Sequence, residues 1–145
     1  MATTTASVTL SSSDLLTDNL SLSSTMSLYK GDTTATGLEQ LNYHRAVLAE
    51  DGDFDLIPES AALTENANYV YIANKNTDAT HYCIISINSE VIGRLYAGDW
   101  LWMPWDCDLT HATADSSIEI IPKEADATVE YALFHSGETL VTSSD

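Results

Sequence analysis

Hydrophobic and polar residues alternate along much of this chain, at the two-residue period of a β-strand. Between positions 19 and 29 the large apolar side chains fall on one parity, with serine and threonine mostly between them: Leu20, Leu22, Met26 and Leu28. Because successive side chains of a strand point to opposite faces, this spacing predicts a strand with one dry face. Similar short patterns predict strands at 43–48, 54–57, 69–73, 82–87, 91–96, 99–105, 118–121 and 128–134.

These predicted strands recur about every 8–12 residues with turn-forming residues between them, which is typical of an all-β fold. We therefore expect an antiparallel β-sandwich, of jelly-roll or immunoglobulin-like type, with an extended N-terminal arm. The 145 residues fit one domain, which buries roughly 68–70% of its unfolded surface. We assign residues 1–18 to the arm, 19–135 to the sandwich and 136–145 to a C-terminal tail.

The formal net charge of −17 makes some classes of binding partner improbable. Nucleic-acid binding requires a basic patch, and the five basic residues form no cluster in the sequence: Lys30, Arg45, Lys75, Arg94 and Lys123. An anionic membrane surface is disfavoured for the same reason. We expect no nucleic-acid partner and no membrane partner. The acidity is typical of a very soluble protein or one displayed in many copies.

The sequence also bears on the compartment. The first ten residues lack the basic start and apolar run of a secretory signal. Cys83 and Cys107 are too few for a disulfide framework, and Cys83 lies in an apolar strand pattern typical of a small buried hydrophobe. We expect synthesis in a reducing cytoplasm.

Catalytic motifs are missing. The chain contains no Gly-x-Ser-x-Gly elbow, no phosphate-binding glycine loop and no His-Glu-x-x-His pair. We therefore expect no enzymatic activity and no cofactor.

One pattern resembles an enzyme motif but also has a simpler structural explanation. Gly98-Asp99, Pro104 and the later His111 resemble the second motif of the cupin family, whose members are jelly rolls. The first cupin motif needs two further histidines, and the corresponding strands offer only His81. One imidazole does not hold a metal. We interpret the pattern as a jelly-roll strand entered through a glycine turn, with a degenerate cupin-like enzyme as an alternative.

Two other patterns resemble metal sites. The acidic run at 50–55 has the oxygen-rich spacing of a calcium loop, but the twelfth position from Asp51 is Ala62 rather than glutamate. A solvated acidic turn is favoured over a weak Ca²⁺ or Mg²⁺ site between subunits. Cys107 and His111 have the spacing of half a zinc site, and no second half accompanies them.

All three tryptophans lie between positions 100 and 105. Trp100 and Trp102 share one parity, and Leu101, Met103 and Trp105 share the other, so both faces of the predicted strand carry large apolar groups. One face can fill the core, and the other must be covered by a partner, a ligand or another part of the chain. Tryptophan and methionine are typical of interface centres. A sugar-stacking platform is the alternative.

Several segments resemble small virion structural proteins of tailed bacteriophages, especially marine ones. The segments that carry the resemblance are Met1-Ala2-Thr3-Thr4-Thr5, the alternating strand from Leu20 to Leu28, Gly37-Leu38, Tyr69-Val70-Tyr71-Ile72-Ala73-Asn74, Ile92 to Trp100, Pro104-Trp105 and Thr128 to Phe134. The resemblance implies a β-sandwich displayed in many copies on the virion, without enzymatic activity. It leaves open whether the copies sit on the capsid or in the tail.

Together these observations favour a capsid decoration or cement protein, located on the capsid surface rather than in the tail. Its expected partners are copies of itself, with a trimer favoured, and the major capsid protein or other virion proteins. The alternative is a tail adaptor or fibre-associated module that contacts host glycan. The candidate interface residues are Thr3, Thr5, Val8 and Leu10 in the arm, and Trp100, Trp102, Met103 and Trp105 in the tryptophan segment.

Overall fold

The computed structural model describes residues 4–15, 17–28, 40–57, 68–105 and 117–135. They form ten strands: β1 (Thr4–Ser12), β2 (Leu20–Leu28), β3 (Gln40–Leu48), β4 (Phe54–Ile57), β5 (Asn68–Asn74), β6 (Tyr82–Ile87), β7 (Glu90–Tyr96), β8 (Trp100–Pro104), β9 (Ile118–Lys123) and β10 (Ala127–His135). Every strand pairing is antiparallel. The predicted all-β sandwich is confirmed. Within the described ranges there is no helix that could cross a membrane.

Eight of the strands form two four-stranded sheets, in the orders β3-β10-β5-β8 and β4-β9-β6-β7. Among these eight strands the first pairs with the last, the second with the seventh, the third with the sixth and the fourth with the fifth. This is the pairing of one long hairpin rolled into a double sheet. The topology is therefore that of a jelly roll rather than an immunoglobulin domain.

The first two strands lie outside both of these sheets. β1 and β2 pair along their full length, from Thr4 opposite Leu28 to Ser12 opposite Leu20. The expected strand at 19–29 is present as β2, but its partner is the segment that we assigned to the arm. The arm is therefore one half of a two-stranded hairpin, which we call the N-terminal hairpin.

The core lies between the two four-stranded sheets and is built from the inward parity of each strand. In β9 buried and half-buried residues alternate without exception, as the two-residue period requires. Each fully buried aliphatic side chain contributes about 1.5–3 kcal/mol of hydrophobic free energy. The side chains with at most 1% exposure include Val70, Ile72, Cys83, Ile85, Ile118, Ile120 and Val129.

Cys83 belongs to this core, as its apolar context predicted, and it has 0% exposure. Burial raises the pKa of its thiol to about 11. Since the thiolate is the reactive form of cysteine, the Cys83 thiol is unreactive at neutral pH.

The placement of the core predicts that substitutions at inward positions lower the free energy of unfolding much more than substitutions at outward positions. Ile120→Ala removes a fully buried side chain and is expected to lower the free energy of unfolding by about 2–5 kcal/mol, because a cavity remains. Urea unfolding followed by circular dichroism measures this change. The control is Val47→Ala, at a position 71% exposed, where we expect a change within about 0.5 kcal/mol. Equal losses in the two variants would contradict the placement of the core.

Candidate functional site

The outer face of the β3-β10-β5-β8 sheet is rich in aromatic residues. Trp102 lies opposite Tyr71 on the neighbouring strand, and Phe134 lies opposite Tyr69. Since alternate residues share a face, these side chains and that of Trp100 project away from the core. We call Tyr69, Tyr71, Trp100, Trp102 and Phe134 the aromatic face.

Ring contacts hold the centre of the aromatic face. The Tyr69 and Trp102 rings stack with centroids 5.4 Å apart and planes 6° from parallel. Phe134 meets Trp102 edge-on, at 5.2 Å and 73°. Such aromatic pairs contribute about 0.5–1.5 kcal/mol each beyond the area they bury. Trp102 is thereby half-buried, whereas Trp100 remains 53% exposed.

The N-terminal hairpin forms a second wall beside the aromatic face. Between them runs a groove of about 220 Å³, lined by Thr4, Thr5, Ala6, Ser7, Val8, Leu28, Tyr71, Trp100, Trp102 and Phe134. The lining contains no charged residue. Leu28, at the end of β2, is 1% exposed. The groove therefore combines aromatic rings on one wall with both hydroxyl-bearing and small apolar side chains on the other.

A tight turn delivers the chain from β7 in one sheet to β8 in the other. The Asp99 amide donates a hydrogen bond of 2.9 Å to the Tyr96 carbonyl, and the Tyr96 amide donates one of 2.9 Å to the Asp99 Oδ2 atom. Gly98 occupies the third position of the turn with a φ of +86°, as a type II turn requires. The Gly98-Asp99 pair is therefore a crossover turn that leads directly into Trp100.

Buried hydrogen bonds of Asn74 hold the crossover turn in place. It has 0% exposure, and its Nδ2 atom donates a hydrogen bond of 3.0 Å to the Leu95 carbonyl in the opposite sheet. The Asn74 carbonyl accepts from the Gly98 amide at 2.9 Å, and the Asn74 amide donates to the Asp99 carbonyl at 3.0 Å. Sequence reasoning missed this residue, whose only signal was an asparagine at the end of an apolar strand.

Charges lie at one side of the same outer face. The Glu130 side chain, 17% exposed, lies 3.7 Å from Arg45 Nη1 and 3.8 Å from Lys75 Nζ. Two of the five basic residues of the chain are thus paired with a single carboxylate.

The candidate interface residues divide between the two faces. Thr5, Val8, Trp100 and Trp102 line the groove, whereas Leu10 lies further along β1 and is 54% exposed. Met103 and Trp105 pack on the core side, with Trp105 4% exposed. Thr3 lies outside the described residues. Tyr71, Phe134 and Leu28 were missed, although the shared parity of Tyr69 and Tyr71 was a visible signal.

The acidic turn is occupied by an ion pair. Lys123 Nζ donates a hydrogen bond of 2.6 Å to the Asp51 Oδ1 atom, which raises the pKa of the ammonium group. The neighbouring Glu50 amide donates to Asp126 Oδ1 at 2.9 Å. Among the residues that the structure describes, no group of three or more histidine, cysteine or acidic side chains is placed to hold a metal. Cys107 and His111 lie outside that part.

Comparison with protein-family models, curated proteins and solved structures found no match. Jelly rolls occur in viral capsid proteins, lectins and cupins, and a shared architecture does not by itself assign a function. The groove, the N-terminal hairpin and the distribution of charge are therefore the features of this chain that bear on its function.

The crossover turn gives a prediction with a matched control. Ala at position 98 would meet no atom within 4 Å but would adopt a positive φ, so we expect Gly98→Ala to destabilise the fold by about 1–2 kcal/mol. Gly93→Ala also meets no atom within 4 Å and has no positive φ, so it should be neutral or slightly stabilising. Thermal melting compares the two. A Gly98→Ala protein as stable as Gly93→Ala would refute the turn's role.

Proposed function

We propose that this protein is a non-enzymatic virion structural protein, which decorates a phage capsid in many copies and cements neighbouring capsid subunits. The observation that carries the proposal is the exposure of large apolar side chains on an otherwise acidic molecule. In the described residues these are Val8, Leu10, Leu15, Leu22, Met26, Leu41, Tyr43, Val47, Val91, Ile92, Tyr96 and Trp100. Where such side chains adjoin one another, as Val8, Leu10 and Leu22 do on the N-terminal hairpin, exposed apolar surface marks a site of contact with another molecule.

The distribution of charge supports the same proposal. Within the ten strands the only acidic residues are Asp55, Glu90, Glu119 and Glu130. The other described acidic residues lie in the connections between strands. The strands of the N-terminal hairpin are therefore free of charge, and the β3-β10-β5-β8 sheet carries a single acidic residue, Glu130, which is paired with Arg45 and Lys75. This lowers the cost of burying these surfaces against a neighbour.

The N-terminal hairpin suits a cementing role because its hydrogen-bonding edges remain open. In the described part of the chain, β1 and β2 pair only with each other. An open strand edge can extend the sheet of another molecule through main-chain hydrogen bonds. Many such small contacts on a repetitive shell add through multivalency, and they would resist expansion of the shell under internal pressure.

Re-addition to particles tests the proposal. Particles from a phage with the gene disrupted should bind the purified wild-type protein in many copies and should lose their genome at a higher temperature once decorated. A protein lacking residues 1–12 should bind at least about tenfold more weakly, because β1 is removed and each lost contact lowers the avidity. Cosedimentation and a dye-release melting curve measure the two effects.

Circular dichroism of the truncated protein is the control that its jelly roll is intact. Unchanged binding by that protein would contradict the role of β1. Absence of the protein from purified wild-type particles, measured by mass spectrometry, would contradict the proposal as a whole. Labelling of tails alone by antibody would reassign the protein to the tail.

Glycan binding is a second candidate function, favoured by the groove. The exposed ring of Trp100, the half-buried ring of Tyr71 and the side-chain hydroxyls on the hairpin wall are suited to stacking on a sugar ring and to hydrogen bonding with it. In that reading the protein is a tail-associated module that contacts host polysaccharide.

A glycan array with two variants tests this second function. Trp100→Ala should abolish binding, because it removes the exposed ring of the groove. Tyr43→Ala should leave binding unchanged, since Tyr43 is equally exposed, at 53%, on the same sheet but does not line the groove. Absence of wild-type binding to every host polysaccharide would exclude the function.

A further inference from the structure

The N-terminal hairpin has two chemically distinct sides. Because the residues of β1 and β2 pair in register, even positions share one side and odd positions share the other. The even side carries Ala6, Val8, Leu10, Leu22 and Met26, and we call it the apolar side. The odd side consists entirely of serine and threonine, and we call it the hydroxyl side.

Hydroxyl groups on the hydroxyl side form hydrogen bonds with one another across the two strands. Ser7 and Thr25 share a hydrogen bond of 3.0 Å between their hydroxyl groups, and Thr9 and Ser23 share one of 3.5 Å. Cross-strand hydroxyl pairs of this kind stabilise a sheet face that is open to water. This side therefore needs no cover.

The apolar side, in contrast, is covered only at one end, where Leu28 is buried. The exposed fraction is 38% for Val8, 54% for Leu10, 55% for Leu22 and 46% for Met26. A two-stranded hairpin is marginally stable in water without a packed face. The hairpin therefore gains stability from any surface that covers these four side chains.

Continuity connects the apolar side to the aromatic groove. Val8 lines the groove with Trp100 and Tyr71, and it also lines a shallower depression with Leu10 and Leu22. A single uncharged surface thus runs from the far part of the hairpin to the tryptophans.

The absence of charged side chains on this surface indicates which kind of molecule it can bind. The eighteen residues of β1 and β2 include none of the chain's charged residues, although the molecule carries a net charge of −17. Asp14 and Asp18 lie in the connection between the two strands, beyond the end of the paired region. Two copies repel each other over their acidic surfaces and can approach most closely where both are neutral. A basic partner would instead be attracted to the acidic connections. The neutral surface therefore fits a second copy of this chain.

The available area sets the strength of this contact. A nine-residue strand is roughly 30 Å long, so the hairpin presents a face of about 300 Å², well below the ~800 Å² per partner of a standard stable interface. Two apolar sides alone would therefore associate weakly. The adjoining groove enlarges the surface with the large rings of Trp100 and Tyr71.

We propose that copies of this protein associate through the apolar side of the N-terminal hairpin together with the adjoining aromatic groove. Leu10 and Leu22 of one copy pack against the same uncharged surface of a second copy, and because both copies use the same surface, the contact closes a two-fold symmetric dimer. The inference does not depend on the proposed function, since it concerns the protein alone.

A pair of matched double variants tests the proposal in the full-length protein. Leu10→Asp/Leu22→Asp places two charges on the apolar side, and Ser11→Asp/Ser21→Asp places two charges at the adjacent pair of positions on the hydroxyl side, outside the groove and the neighbouring depression. We expect the wild type and the second variant to show a concentration-dependent molar mass above that of a monomer in sedimentation velocity. The first variant should be monomeric at the same concentrations.

Salt provides an independent readout. Raising the ionic strength from about 0.05 to 1 M shortens the screening length to about 3 Å, which removes the repulsion between acidic copies but leaves the apolar contact. The apparent dissociation constant of the wild type should fall several-fold. An association that weakens with salt would mean that ion pairs hold the copies together, which overturns the proposal.

Three further results would overturn it. They are a monomeric wild type at every concentration and salt level, retained association in Leu10→Asp/Leu22→Asp, and equal loss in both double variants. Circular dichroism and thermal melting check that each variant keeps its jelly roll, and Leu10→Ser/Leu22→Ser replaces the aspartate variant if it does not. A monomer found on particles would refute this inference alone, and an oligomer absent from particles would refute only the proposed function.

Discussion

Each strand has two faces, and in β8 this protein fills both with large apolar side chains. Only one of them can enter the core between the sheets, which takes Leu101, Met103 and Trp105. Trp100 and Trp102 are then forced onto the outer face. The rings of neighbouring strands and the N-terminal hairpin cover part of that surface, and the groove is the part left over. The groove, the candidate interface and the proposed contacts between copies all follow from this excess of apolar surface.

Electrostatics complements the excess of apolar surface. A net charge of −17 in 145 residues opposes any close approach of two copies, and the strands escape this effect because most of the described acidic residues lie in the connections. Asp51, for example, sits in a turn and is compensated locally by Lys123. Most of the described acidic charge and the exposed apolar surface of the hairpin thus lie in different parts of one small domain. The proposed packing of copies side by side requires such a separation.

Local patterns in the sequence predicted the strands well and their partners poorly. The bounds of β4 and β6 follow from turn residues and apolar runs that lie within a few positions of each strand. The choice of a jelly roll over an immunoglobulin fold depends on pairings between distant segments, such as β3 with β10, and alternation does not encode these. The same limit hid the pairing of β1 with β2, the contribution of Phe134 to the groove and the role of Asn74. The last two depend on contacts between residues more than 20 positions apart, such as the hydrogen bond from Asn74 to Leu95, and β1 and β2 pair across separations of 8 to 24 residues.

The rolled-up pairing has a consequence for how the chain folds during synthesis. β10 lies inside its sheet, between β3 and β5. The sheet therefore cannot assemble until β10, the last described strand, has left the ribosome. The N-terminal hairpin, in contrast, joins segments close in sequence and can form early. A hairpin with uncharged strands can therefore be complete before the acidic domain beside it exists. If copies associate through this hairpin as proposed, nascent chains on one message would expose the contact first, and its small area would keep that early association weak.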